Sequence, residues 1–215
     1  MIYKILPHQD KWLEENYEKV MAEFNEFYEL NWQHHRPSIF IVNSRQMIND
    51  IWRQDTPDWV INWQNGGNIY MLDDETIEKE SSHKKDSGPE KKIFHLRHEL
   101  SHAFFFVKAG HCHKGPKWLW EGTAIYTAGQ LKFTKPIEKF ERFLNSTNQV
   151  EDGCYQESGF AVSALVKKFG KEKLLMLIKQ LKDCLTNDIF NQKFKEVYGF
   201  EPTYEDFNNL EKQKK

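Results

Sequence analysis

Cysteine is scarce in this 215-residue chain: there are three, Cys112, Cys154 and Cys184, an odd number at wide spacings. That count argues against the disulfide framework of small secreted domains. Long apolar runs are also missing. Nothing approaches the roughly 20 apolar residues of a membrane-spanning helix, and the opening MIYKILPHQDKW lacks the apolar core of a secretory signal. A cytoplasmic location is the expectation. Excess charge of one sign is absent as well, with Lys+Arg 30 against Asp+Glu 32 and a net charge of -2. No electrostatic footprint for nucleic acid or an anionic membrane follows.

What the chain does have is material for a core. Hydrophobic residues make up 39% and aromatics 14%, and the length suits one domain spanning residues 1–215. Within it, residues 1–88 read as a helix plus a small sheet, and residues 89–215 as a helical lobe. No internal repeat is visible.

Apolar residues over 9–32 (Trp12, Leu13, Tyr17, Val20, Met21, Phe24, Phe27, Tyr28) recur at helical steps and predict an amphipathic helix. SIFIVN after Pro37 reads as a strand, and residues 44–52 as a short helix capped by Ser44. Turn signals at Pro57 and at Asn65-Gly66-Gly67 precede a further strand, NIYML. The polar stretch 78–92, EKESSHKKDSGPEKK, has no apolar anchor and reads as a mobile loop. Helices are expected again at 122–128, 137–144, 158–169 and 171–185, with more helix around 192–198 and 204–210.

The helix between Pro89 and Gly110 carries the chemistry. Pro suits a first helical turn and Gly the position just past a helix end. Ile93, Leu96, Leu100, Ala103, Phe104 and Val107 form its core-facing stripe. On the same helix stands the run RHELSH. Side chains four apart lie one above the other, so His98 and His102 can converge on one ion. Glu99 is turned by about a quarter of the circumference, which suits a general base better than a third ligand.

A hydrolytic zinc needs a third protein ligand and an open fourth position. A third histidine in HExxHxxGxxH fails, because Phe105 and Lys108 stand where Gly and His would be required. Cys112, within His111 to His113, and Cys154 lack any accompanying metal-ligand spacing and read as ordinary thiols. Glu121, in KWLWEGTAIY, is either an acid favoured at a helix start by the dipole or the carboxylate that completes a His2Glu site.

The spacing of these residues resembles a known family. His98-Glu-Leu-Ser-His102, then eighteen residues (103–120), then Glu121 is similar to the HExxH-x18-E signature of gluzincin zinc metallopeptidases. The nearest type is the aminopeptidase N and leukotriene hydrolase class, together with the smaller peptidase MA-like domains. The resemblance implies one Zn2+ per chain held by His98, His102 and Glu121, with Glu99 as the catalytic base. Downstream, Tyr155, Ser158, Leu165 and Gly170 match the spacing of a family segment whose Tyr stabilises the oxyanion. The strand before the zinc helix, here Asn68, Ile69 and Tyr70 onward, would hydrogen-bond the substrate backbone as an added strand.

Two departures stand out. The free-amine-binding GxMEN pattern of aminopeptidases is replaced by GNIYM, which has no acid. Ile125 and Ala128 occupy the positions where thermolysin-type enzymes and aminopeptidases, respectively, place an acid that supports a histidine ligand. The expected fold class is α+β and zincin-like (thermolysin-like): a small mixed sheet packed on a mainly helical lobe, with the active-site helix between them. The expected activity is zinc-dependent hydrolysis of a peptide or protein substrate. The alternative is an inactive domain of the same fold that binds zinc and extended peptides.

Overall fold

In the computed structural model, which describes residues 7–145 and 153–212, the chain is mixed α and β, mostly helical, with one three-stranded sheet. No helix among the described residues is long and apolar enough to cross a membrane. The chain divides into two compact units, residues 1–26 with 31–100, and residues 27–30 with 101–215.

The first unit begins with α1 (Lys11–Tyr28), where Asp10 caps the first turn by accepting from Leu13 N. Leu13, Tyr17, Val20, Met21 and Phe24 are buried at the helical steps anticipated from their spacing. Three strands follow: β1 (Ile39–Val42), β2 (Asn62–Asn65) and β3 (Asn68–Leu72). Between β1 and β2 lies α2 (Arg45–Trp52), whose N-cap Ser44 accepts from Met47 N. The sheet order is β1-β3-β2, parallel between β1 and β3 and antiparallel between β3 and β2. Gly66 and Gly67, both at positive φ (57 and 80), make the two-residue turn between β2 and β3.

Side chains alternate across this sheet. Phe40, Tyr70 and Trp63 are opposite one another and stack in a row, with Trp52 edge-on to Trp63. On that same face Val42 and Leu72 join a core with Ile48, Val60, Ile61 and Ile77. Asn62 and Met71 therefore lie on the other face.

The mobile loop expected at 78–92 is structured. A helix, α3 (Asp74–Glu80), opens on Asp73, which accepts from Thr76 N, and a 3-10 turn covers Lys84–Asp86. Asp74 accepts from Gly88 N and pairs with Lys92. Polar tethers therefore replace the apolar anchor the sequence lacks. The motif helix α4 (Pro89–Lys108) starts at Pro89 as its sequence predicts, and Gly110 follows its end at φ 74.

The second unit holds α5 (Lys117–Ala128), α6 (Cys154–Phe169), α7 (Lys171–Gln180), α8 (Asn187–Tyr198) and α9 (Tyr204–Lys212). Its aromatic centre is Trp118, against which Phe143, Phe190, Phe194 and Phe207 pack edge-on. The helix expected over 137–144 does not form; there is only a 3-10 turn at Phe143–Asn145. The backbone donors there go to distant side chains instead. Glu157 Oε2 accepts from Glu141, Arg142 and Phe143 N, Asn208 Oδ1 from Phe140 N, and Tyr204 Oη from Leu144 N. Tertiary acceptors have displaced the i−4 carbonyls.

Candidate metal centre

Three donor side chains converge as the sequence expects. One ligand atom each from His98 and His102 of α4 and Glu121 of α5 lies within 4.8 Å of the others, and all three residues are half-buried. His102 Nε2 is 3.5 Å from Glu121 Oε2. Donors bound tetrahedrally at about 2.0–2.2 Å are separated by roughly 3.3–3.6 Å, so this pair already stands at a metal-ligand spacing. A His2Glu set suits zinc and leaves a fourth position for water or substrate. Among the described residues no other group of three such donors could hold a metal. Cys112 Sγ donates to the Ala109 carbonyl, and Cys154 and Cys184 are buried thiols.

Glu99 is 5% exposed, and one of its oxygens is engaged: Asn62 Nδ2 donates to Glu99 Oε1. Asn62 had no visible role in the sequence, because NWQN before the Gly-Gly turn is too short and polar to read as a strand. The signal that could have found it is the turn itself, since two glycines followed by a strand call for a partner strand before them.

One turn before His98, His95 lies at the step that keeps it on a neighbouring line of α4. Burial pushes its imidazole pKa down to about 4, against the opposing pull of Asp86, whose carbonyl lies 3.3 Å from Nε2. The His95 ring is therefore neutral at physiological pH.

Ser101, between the two histidines in sequence, is the hub of a buried hydroxyl chain. Its Oγ is 2.5 Å from Tyr28 Oη and accepts from Thr127 Oγ1 of α5 at 2.8 Å. Thr127 also lies 2.8 Å from the Thr123 carbonyl, and burial raises the Tyr28 phenol well above its usual range. The chain of hydroxyls ties the helix bearing His102 to the helix bearing Glu121.

Tyr155 stands in the first turn of α6, half-buried, with Lys117 Nζ 5.3 Å from its ring centroid. Lys117 begins α5 one turn before Glu121, so Tyr155 is brought to the same end of α5 as the carboxylate donor. Glu157, two residues on, fixes that turn of α6 to residues 141–143 through its three backbone bonds.

The substrate strand expected at Asn68, Ile69 and Tyr70 is corrected by the topology. These residues belong to β3, the central strand, which is paired with β1 on one side and β2 on the other. Both edges of its backbone are occupied, so no chain can add to it. Ile69 is fully buried, and Tyr70 is stacked between Phe40 and Trp63 on the face away from Asn62. The strand next to Glu99 is β2, through Asn62, and among the described strands its outer edge is unpaired.

No protein-family model matches the chain, and no curated protein matches it.

Proposed function

We propose that the chain is a zinc-dependent peptidase of the gluzincin type, acting on peptides or proteins. The observation that carries this reading is the convergence of His98, His102 and Glu121 around a helix that also presents a buried carboxylate, Glu99. When bound, zinc supplies Lewis acidity: it lowers the pKa of a held water towards about 7 and polarises a carbonyl. The protein residues do the rest. Glu99 takes a proton from the attacking water and delivers it to the departing amine nitrogen as the peptide C–N bond breaks. The Tyr155 hydroxyl donates to the oxyanion formed at the carbonyl carbon. The substrate backbone lies along the outer edge of β2, whose free N–H and C=O groups pair with an extended chain.

The test is a peptide-library digestion with the zinc-loaded chain, with and without a chelator, alongside Glu99→Gln. Cleavage that disappears with chelator and returns with zinc is expected. Glu99→Gln should keep about one zinc per chain and cleave nothing. Peptide capture without cleavage by the wild-type chain would instead favour an inactive binding domain.

A further inference from the structure

We propose that Asn62 is a positioning residue for the base: its carboxamide N–H, bound to Glu99 Oε1, fixes which carboxylate oxygen receives the proton. This inference rests on Glu99 serving as the base.

The geometry is specific. Asn62 Nδ2 donates to Oε1 at 2.5 Å, from a strand rather than from a loop. That strand is held by its pairing of Asn62 with Met71 and by Leu72 N donating to the Ile61 carbonyl. The next residue, Trp63, is buried and clamped between Trp52 and Tyr70. The donor is thus presented by a rigid element.

The terminal torsion of a glutamate is broad and nearly two-fold, so an untethered carboxylate offers either oxygen to a proton. With Oε1 engaged by Asn62, Oε2 is the oxygen left to act. One water O–H bond breaks as an O–H bond forms at Oε2 and the water oxygen attacks the carbonyl carbon. The same proton then passes from Oε2 to the amine nitrogen as the C–N bond breaks. Asn62 keeps both its protons throughout. Because Asn62 sits on β2, the strand also sets the position of Glu99 relative to a peptide paired along that strand's edge. Partners of this kind, one step removed from the chemistry, typically change activity by about 10–100-fold when lost.

The experiment compares zinc-loaded wild type with Asn62→Ala, Asn62→Asp and Glu99→Gln on one cleaved peptide, with zinc content and melting temperature measured for each. Asn62→Asp keeps the shape of the side chain and replaces the donor by an acceptor. A fall in kcat of about 10–100-fold is expected for Asn62→Ala, and a larger one for Asn62→Asp, with KM and zinc content within about twofold. Wild-type kcat in Asn62→Ala overturns the positioning role and leaves Glu99 as base. Turnover by Glu99→Gln overturns both. A rise in KM or loss of folding without a kcat change reduces Asn62 to a structural residue and also overturns the proposal. A second readout needs no turnover. A hydroxamate that chelates a metal gives up its N–O–H proton, and a neighbouring carboxylate that accepts it strengthens binding, so Asn62→Ala and Glu99→Gln should both weaken acetohydroxamate binding to the cobalt-loaded chain. Equal binding by wild type and Asn62→Ala overturns the role of Asn62 even if no peptide is cleaved.

Discussion

The backbone oxygen of Ser158 occupies the space where Gly122 would carry a side chain: a Cβ there would lie 2.3 Å from that oxygen and 2.8 Å from Val162 Cγ2. The contact is answered on the other helix, where a Cβ on Gly159 would meet Ile125 Cγ2 at 2.5 Å. Helices α5 and α6 therefore meet through bare backbone at the residue immediately after Glu121. On intrinsic propensity alone, Ala in place of Gly inside a helix stabilises by about 1 kcal/mol. Here the obstacle is a carbonyl, which cannot rotate away.

Gly122→Ala should therefore destabilise the chain by about 1–3 kcal/mol despite the better propensity, read as a lower urea midpoint. It should also weaken zinc binding by displacing Glu121. A variant as stable as wild type would show that α6 can move aside without consequence.

Glu121→Ala removes one of the three side chains that could hold a metal ion and leaves a pair of histidines one helical turn apart. Zinc content should fall from about one per chain to a small fraction, and affinity by at least about 100-fold in competition with a chromophoric chelator. Undiminished zinc by elemental analysis would remove Glu121 from the metal centre.

The legible parts of the molecule were those in which short-range pattern and chemistry coincide. The stripe of α1, the bounds of α4 and the pairing of His98 with His102 follow from helical periodicity and end signals, while Glu121 is singled out by the resemblance to the gluzincin signature. What stayed hidden depends on partners distant in sequence. The seven-residue α3 buries Thr76 and Ile77 alone, too little for a periodic signal, and is held by Asp73, Asp74 and Lys92. Residues 137–144 carry a helical pattern, but their backbone donors are taken by Glu157, Asn208 and Tyr204. Strand order was equally invisible: β3 is central because β2, across the Gly66-Gly67 turn, covers its second edge. That relocation moves the substrate strand of the proposal from NIYML to NWQN.

Ser101→Ala tests the hydroxyl chain. Alanine is the better helix former by a few tenths of a kcal/mol, so propensity again points the wrong way. Without Ser101 Oγ, Tyr28 Oη loses its 2.5 Å hydroxyl partner, and Thr127 Oγ1 loses its 2.8 Å acceptor on α4. A loss of about 1–3 kcal/mol is expected from removing these two buried hydrogen bonds, measured by urea denaturation. Neutral or raised stability would show that the three hydroxyls contribute no net energy.

His95 gives the chain a stability loss in mild acid whose direction can be worked out. Its folded pKa of about 4 lies below the ordinary histidine value of 6.5, chiefly through burial. The unfolded chain therefore takes up this proton before the folded chain does, and stability rises with pH wherever the unfolded state binds more protons. The contribution of His95 is fully present above pH 6.5, declines as the pH falls from there towards about 4, and levels off once both states are protonated. Urea midpoints of the metal-free wild type and His95→Gln should be compared across this range, so that the variant serves as the baseline for every group other than His95. The wild type should lose more stability than the variant between pH 6.5 and 4, with the gap widening as acid is added. Parallel profiles would mean that the folded protein accommodates a charged imidazole at His95 beside the Asp86 carbonyl.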